Sequence, residues 1–168
     1  MDIRKLHDIA ARIRLAVFDV DGVFTSGHLY YTADGESMKV FHVRDGYGIK
    51  ALMAAGVKVG IITGRNSPIV NTRMEELGIR HIIRNREDKG SALQELLDEL
   101  GIPASETAYM GDDLPDISAL EMVALPATVR NADQAVIRKC VWRSGKDGGD
   151  GAVREFTDLL LAARLDSA

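Results

Sequence analysis

The apolar positions of the chain switch between two periods. Ile3, Leu6, Ile9 and Ala10 recur at helical spacing, which predicts a short amphipathic helix at the start. Leu15-Ala-Val-Phe then runs unbroken, the pattern of a strand buried on both faces. Two β-rich runs, His28–Thr32 and Met38–Val43, flank an Asp34-Gly35 turn and predict a β-hairpin inserted before the next helix. From Asp45, read as an N-cap, Ile49, Leu52 and Met53 mark a helix that ends at Gly56. Val57–Thr63 reads as the second buried strand, Ile69–Leu77 as a helix closed by Gly78, and Ile79–Ile83 as a short strand. Ser91–Leu100 reads as a helix stopped by Gly101 and Pro103, and the run from Thr107 to Met110 as another buried strand. Further on, the pattern gives a short helix over Ile117–Met122, a strand over Val123–Leu125 and a loop beginning at Pro126. Ala132–Lys139 is helical and Val141-Trp142 strand-like. A glycine-rich loop over 144–151 then leads to a final amphipathic helix, Ala152–Leu165.

Strands alternating with helices predict an α/β fold with a doubly wound, mostly parallel sheet. A length of 168 residues suits a single domain, 1–168, whose only departure from regular alternation is the 27–43 hairpin. Leu29, Tyr31, Val40 and Phe41 are more apolar surface than one small hairpin buries alone. They imply either a subunit contact or packing on the hairpin's own domain. The formal net charge of −4 gives no nucleic-acid footprint, and no run reaches membrane-spanning length. The single cysteine, Cys140, excludes an internal disulfide framework and fits a reducing compartment, and the N-terminus lacks the apolar core of a signal peptide. A cytoplasmic location is the expectation.

The candidate chemistry sits at the ends of the predicted strands. The first delivers Asp19 and Asp21, followed by Gly22. Carboxylates at the end of a buried strand need compensation, and a hard divalent cation is their natural partner. Taken alone, Asp-Val-Asp-Gly is also an ordinary turn sequence. The other strand ends decide the matter. Thr63-Gly64 presents a hydroxyl and backbone N–H groups, suited either to phosphate oxygens or to capping the following helix. Gly111-Asp112-Asp113-Leu-Pro-Asp116 repeats the acidic ending, and Lys89 opens a helix between the two. In a doubly wound sheet these groups share one edge, where ligands bind. Acids for a magnesium ion, with a hydroxyl and an ammonium for anionic oxygens, make an inventory for phosphoryl transfer. An aspartate nucleophile splits phosphoester hydrolysis into two steps, and a second carboxylate two residues on serves as acid and base.

Asp19-Val-Asp21-Gly, Thr63, Lys89 and Gly111–Asp116, in that order, resemble the four motifs of the haloacid dehalogenase-like phosphatases. The resemblance implies a Rossmann-like fold, with Asp19 as nucleophile and metal ligand and Asp21 as acid/base that also ligates through its carbonyl. It implies phosphate binding by Thr63 and Lys89 and a Mg2+ site completed by Asp112, with Asp113 or Asp116 in support. The small hairpin, Arg44-Asp-Gly-Tyr-Gly-Ile49, Ile62-Thr-Gly64-Arg65 and Gly148–Glu155 are similar to one subgroup of that family. That subgroup has no large cap domain and forms homotetramers through the hairpins. It hydrolyses an eight-carbon keto-sugar-acid phosphate of lipopolysaccharide precursor synthesis. Its glycine-rich C-terminal segment is expected to cover a neighbour's site. On this likeness Arg65 is a candidate for sugar-acid or phosphate oxygens. Arg84-Asn-Arg-Glu-Asp88 departs from the subgroup by adding charge before the lysine. The rival readings are a phosphatase for a nine-carbon sugar acid and a non-catalytic tetramer-assembly module of the kind fused to acidic-sugar cytidylyltransferases. The free-standing chain with every motif residue present disfavours the second.

Overall fold

Leu15–Phe18 forms β1, the central strand of a parallel sheet in the computed structural model, which describes residues 2–166. The helix before it, α1, spans Ile3–Ala11 and turns into the strand through Arg12. A separate two-stranded hairpin follows, β2 (Tyr30–Thr32) and β3 (Gly35–Met38), and then α2 (Val43–Ala54). The alternation continues through β4 (Lys58–Ile62), α3 (Pro68–Leu77), β5 (His81–Ile83), α4 (Lys89–Leu100) and β6 (Thr107–Met110). The chain ends with α5 (Ile117–Leu120), β7 (Leu125–Thr128), α6 (Gln134–Ile137), β8 (Trp142–Arg143) and α7 (Ala152–Asp166).

The sheet order is β5-β4-β1-β6-β7-β8 with every pair parallel, so the α/β doubly wound expectation is met. The winding reverses direction at β1, from β1 outward through β4 on one side and through β6 on the other. A crevice opens beyond the carboxyl ends of strands at such a switch point, because the two following connections leave in opposite directions. All four residues of β1 are buried, as an unbroken apolar run requires when helices cover both faces. Phe18 meets Phe24 and Phe156 edge to face at centroid distances of 5.6 and 6.1 Å. These contacts tie the strand, the loop after it and α7 into one core. α7 packs against α1 and α2, and α4 packs against α5. Among the described residues no helix is long and apolar enough to cross a membrane.

Three local expectations are corrected. The second hairpin strand lies earlier than Met38–Val43: Gly35–Met38 pairs with Tyr30–Thr32, closing on Ala33-Asp34 with Gly35 at φ 109. Asp45 is not the N-cap of α2. His42 holds that place, its Nδ1 accepting the Arg44 N–H, while Asp45 is buried inside the first turn and accepts the Arg154 N–H at 2.8 Å. Asp45 therefore anchors the start of α7 to α2, and burial raises its pKa. Finally, Pro126 lies within β7 rather than beginning a loop. Its carbonyl accepts the Val141 N–H, so its ring nitrogen faces the same side, before the start of the two-residue β8. The missing donor has no ladder partner to lose there.

Candidate active site

Asp19 continues β1 by one residue, donating its N–H to Met110 O at 3.0 Å, and its side chain is thereby delivered to the switch point. The chain then turns back tightly, with Val23 and Phe24 N–H both directed to Val20 O. Gly22 is required in this turn for two reasons. Its φ is +88, and a Cβ would stand 2.0 Å from Asp112 Oδ2. The first acidic loop can therefore approach the second only as glycine. Gly148 imposes the same limit from above, where a Cβ would stand 1.7 Å from Gly22 O, and Gly149 N–H donates to Val23 O at 3.0 Å. Within this chain the glycine-rich loop buttresses its own catalytic turn.

A cleft of about 310 Å³ gathers Asp19, Asp21, Thr63, Gly64, Arg65, Lys89, Asp112, Asp113 and Asp116. All nine residues picked from the sequence line it. Lys89, the first residue of α4, lies 2.9 Å from Asp19 Oδ2 and 2.7 Å from Asp116 Oδ1, with its side chain 5% exposed. Asp116 is fully buried and takes hydrogen bonds from Lys89 and the Tyr109 hydroxyl on Oδ1. On Oδ2 it takes the N–H groups of Asp112 and Asp113 at 3.0 and 3.1 Å. Asp113 is exposed and caps the turn at Leu114. Of the two, Asp116 is the one that turns inward, holding the acidic loop and contacting Lys89. Thr63 does not cap α3, because Ser67 does so at Val70 N–H. Its hydroxyl instead accepts the Arg65 N–H at 3.3 Å within the cleft.

The electrostatics favour a cation. One carboxylate oxygen from each of Asp19, Asp112 and Asp116 falls within 4.8 Å of the others. Burial, then repulsion from Asp116, raises the Asp19 pKa in spite of Lys89. Burial and the Asp19 and Asp116 charges push Asp112 up to about 8. Asp112 Oδ1 is buried with no hydrogen-bond partner. An orphaned buried carboxylate oxygen facing a second crowded carboxylate fits a hard divalent ion. The oxygens of Asp116 are already occupied by donors, so Asp19 and Asp112 are the side chains with capacity to hold it.

Sequence reasoning missed a second buried lysine. Lys39, just beyond β3, makes a direct ion pair with Asp21 Oδ1 and lies 3.0 Å from Glu36 Oε1, its side chain 1% exposed. Glu36 in turn accepts from the Ser67 hydroxyl. Burial works against the lysine's charge, but hydrogen bonds to Asp21 and Glu36 outweigh it and raise its pKa. The signal was present: Lys39 has the parity of Phe41, which packs on the core, while Met38 and Val40 face outward. Arg65 donates to the Tyr31 hydroxyl at 3.2 Å, a second hairpin contact at the cleft. Arg86 is forked onto Asp88 and Glu95 at 2.7 to 2.9 Å, so its charge is offset by one carboxylate of the loop and one of α4. Glu87 is the residue of that loop that reaches the cleft wall.

A family model for haloacid dehalogenase-like hydrolases matches residues 76–156. The 3-deoxy-D-manno-octulosonate 8-phosphate phosphatase of Escherichia coli K12 is 42% identical over 161 residues, covering 95% of this chain and 86% of that protein. The crystal structure of the phosphatase of the same name from Moraxella catarrhalis, in complex with magnesium, phosphate and KDO, superposes with a TM-score of 0.95. It is 39% identical and covers 98% of this chain and 95% of its own. A cobalt-bound deoxy-D-mannose-octulosonate 8-phosphate phosphatase from Haemophilus influenzae gives a TM-score of 0.92 at 39% identity, covering 95% and 93%. With a cleft of this composition at the switch point and likeness over nearly its whole length, the chain belongs to the haloacid dehalogenase-like hydrolases, in the family of the 3-deoxy-D-manno-octulosonate 8-phosphate phosphatases.

Proposed function

We propose that this chain is a magnesium-dependent phosphomonoesterase that hydrolyses 3-deoxy-D-manno-octulosonate 8-phosphate through an aspartyl-phosphate, in lipopolysaccharide precursor synthesis. The observation that carries the reading is the meeting of Asp19, Asp21, Thr63, Lys89 and Asp112 around one cleft, with Asp112 Oδ1 buried and unpartnered. An Asp19 carboxylate oxygen bonds to phosphorus as the ester P–O bond breaks, and the departing oxygen takes a proton from Asp21. Asp21 then takes a proton from the water that attacks the acyl phosphate, releasing inorganic phosphate and restoring Asp19. Thr63 Oγ1, the Gly64 N–H and the Lys89 ammonium hold the transferring oxygens. Asp19 and Asp112 side chains and the Asp21 carbonyl would hold Mg2+, whose charge offsets the repulsion between carboxylates and phosphate. Arg65 is assigned to the sugar acid.

The likeness to a structure holding magnesium, phosphate and KDO supports both cofactor and substrate. Leu29, Tyr30, Tyr31, Met38 and Val40 are exposed on the hairpin, with Tyr31 at 60% and Val40 at 54%, and this supports a homotetramer through residues 27–43. The cytoplasm is the compartment assigned, in keeping with the free Cys140. The test is phosphate release from a panel of sugar phosphates, with magnesium and with chelator, alongside the mass in solution. Preference for the eight-carbon acid, lost on chelation, is the expected result. Preference for a nine-carbon acid would replace the substrate, and silence across the panel would return the assembly-module reading.

A further inference from the structure

Asp21 differs from the other carboxylates of the cleft in what holds it. Asp116 is fixed by four donors and Asp19 by Lys89, and these come from β6, the loop after it and the start of α4. The Asp21 carboxylate has one side-chain partner among the described residues, Lys39, and it comes from the inserted hairpin. The ammonium approaches Asp21 Oδ1, which leaves Oδ2 to carry a proton. Lys39, unlike Lys89, does not line the cleft, its side chain being 1% exposed, and Glu36 Oε1 lies behind it at 3.0 Å. Glu36 is fixed by the hydroxyl of Ser67, the cap of α3, which starts just past the Thr63–Arg65 loop. A continuous line of side chains thus runs from Asp21 through the hairpin to the loop on the far side of the cleft.

We infer that Lys39 is a positioning residue for proton transfer, aiming the Asp21 carboxyl group at the ester oxygen that leaves, with Glu36 as its brace. A carboxylate on a loop otherwise samples several rotamers, and placing it costs entropy at the moment of reaction unless that ordering is built in. The inference rests on Asp21 being the acid/base of the proposed reaction. It follows that the hairpin is part of the catalytic apparatus and that its loss is felt most by substrates that need their leaving oxygen protonated.

The experiment compares an alkyl sugar phosphate, whose alkoxide is a poor leaving group, with p-nitrophenyl phosphate, whose phenolate leaves without help. Asp21→Asn, Lys39→Met, Lys39→Arg and Glu36→Gln are assayed with both, with magnesium saturating and circular dichroism as the fold check. The readout is kcat/KM, which reports the step in which the leaving group departs and not the later hydrolysis of the acyl phosphate, common to both substrates. Lys39→Met is expected to lower it on the sugar phosphate about 10- to 100-fold and on the aryl phosphate less than about threefold. Lys39→Arg recovers part of the loss, and Glu36→Gln shows the same bias at smaller size. Equal losses on both substrates, or none, would overturn the positioning role. If Lys39→Met does not fold, Lys39→Arg and Glu36→Gln decide by the same criterion. Asp21→Asn separates the two levels: absence of bias there removes the acid/base reading itself, whereas bias in Asp21→Asn without bias in the Lys39 and Glu36 variants removes only this inference.

Discussion

Lys89 and Lys39 are both buried, and each lies between two carboxylates, yet they belong to different parts of the fold. Lys89 begins a helix of twelve residues whose apolar face, Ala92, Leu93, Leu96 and Leu97, is locked into the core. Lys39 follows a four-residue strand on a two-stranded hairpin whose outward side chains are exposed. The sheet edge carries the groups assigned above to phosphorus and metal, and it is rigid because the core makes it so. The hairpin supplies the setting of Asp21 and, through Tyr31, of Arg65. A two-stranded hairpin is marginal alone, so that half of the cleft depends on what the hairpin packs against. On the proposed mechanism, the groups that act on phosphorus are set by the sheet and its helices, while the setting of Asp21 and Arg65 depends on contacts from the insertion.

The largest expected contrast comes from Lys89→Met. It leaves Asp19 without its ion-pair partner and Asp116 with neutral donors alone, and turnover should fall about 10³-fold on every phosphoester, aryl or alkyl. A loss confined to sugar phosphates would erase the division between the two regions. Gly148→Ala presses a methyl against Gly22 O, 1.7 Å away, and displaces the turn that carries both Asp19 and Asp21. Since that turn serves both halves, kcat should drop about tenfold or more without any change in the ratio between aryl and alkyl substrates. Arg65→Ala should raise KM for the sugar-acid phosphate about tenfold and leave that for p-nitrophenyl phosphate within about twofold. Equal increases would move Arg65 from the sugar acid to the phosphate.

The smallest effect is thermodynamic and belongs to the sheet edge alone. With the Asp112 pKa at about 8 against an ordinary 3.8, the metal-free native protein holds a proton that the unfolded chain has released. The stability from that proton is complete below the ordinary value and is lost as pH rises through about 8. Magnesium competes with the same proton, so the rise in melting midpoint on adding it should be larger near pH 8.5 than near pH 6, by about a few degrees. Asp112→Asn should remove most of this difference, and an unchanged difference would take Asp112 out of the metal site.

The sheet and its edge were legible because periodicity and strand-end chemistry are local signals. Leu15–Phe18, Val57–Thr63 and Thr107–Met110 read as buried strands from their apolar runs, with Asp19, Thr63 and Asp112 at or within two residues of their ends. The choice between Asp113 and Asp116 was not legible, since it depends on which side chain turns inward to Lys89 and Tyr109. Asp45 misled because an acid near a helix start reads as a cap, whereas here it serves α7, 109 residues further along. Lys39 was passed over because a lysine in an exposed hairpin is ordinarily solvated. Only the alternation with Met38, Val40 and Phe41 marks it as inward, and its partner Asp21 lies 18 residues away.

The most direct test of the central claim is the rate of phosphate release from 3-deoxy-D-manno-octulosonate 8-phosphate by the wild-type protein and by Asp19→Asn, side by side at saturating magnesium. The expected result is wild-type turnover and a variant that keeps its circular dichroism but loses about 10⁴-fold or more in rate. A folded Asp19→Asn protein that still releases phosphate near the wild-type rate would contradict the assignment of Asp19 as nucleophile and, with it, the reading of the cleft.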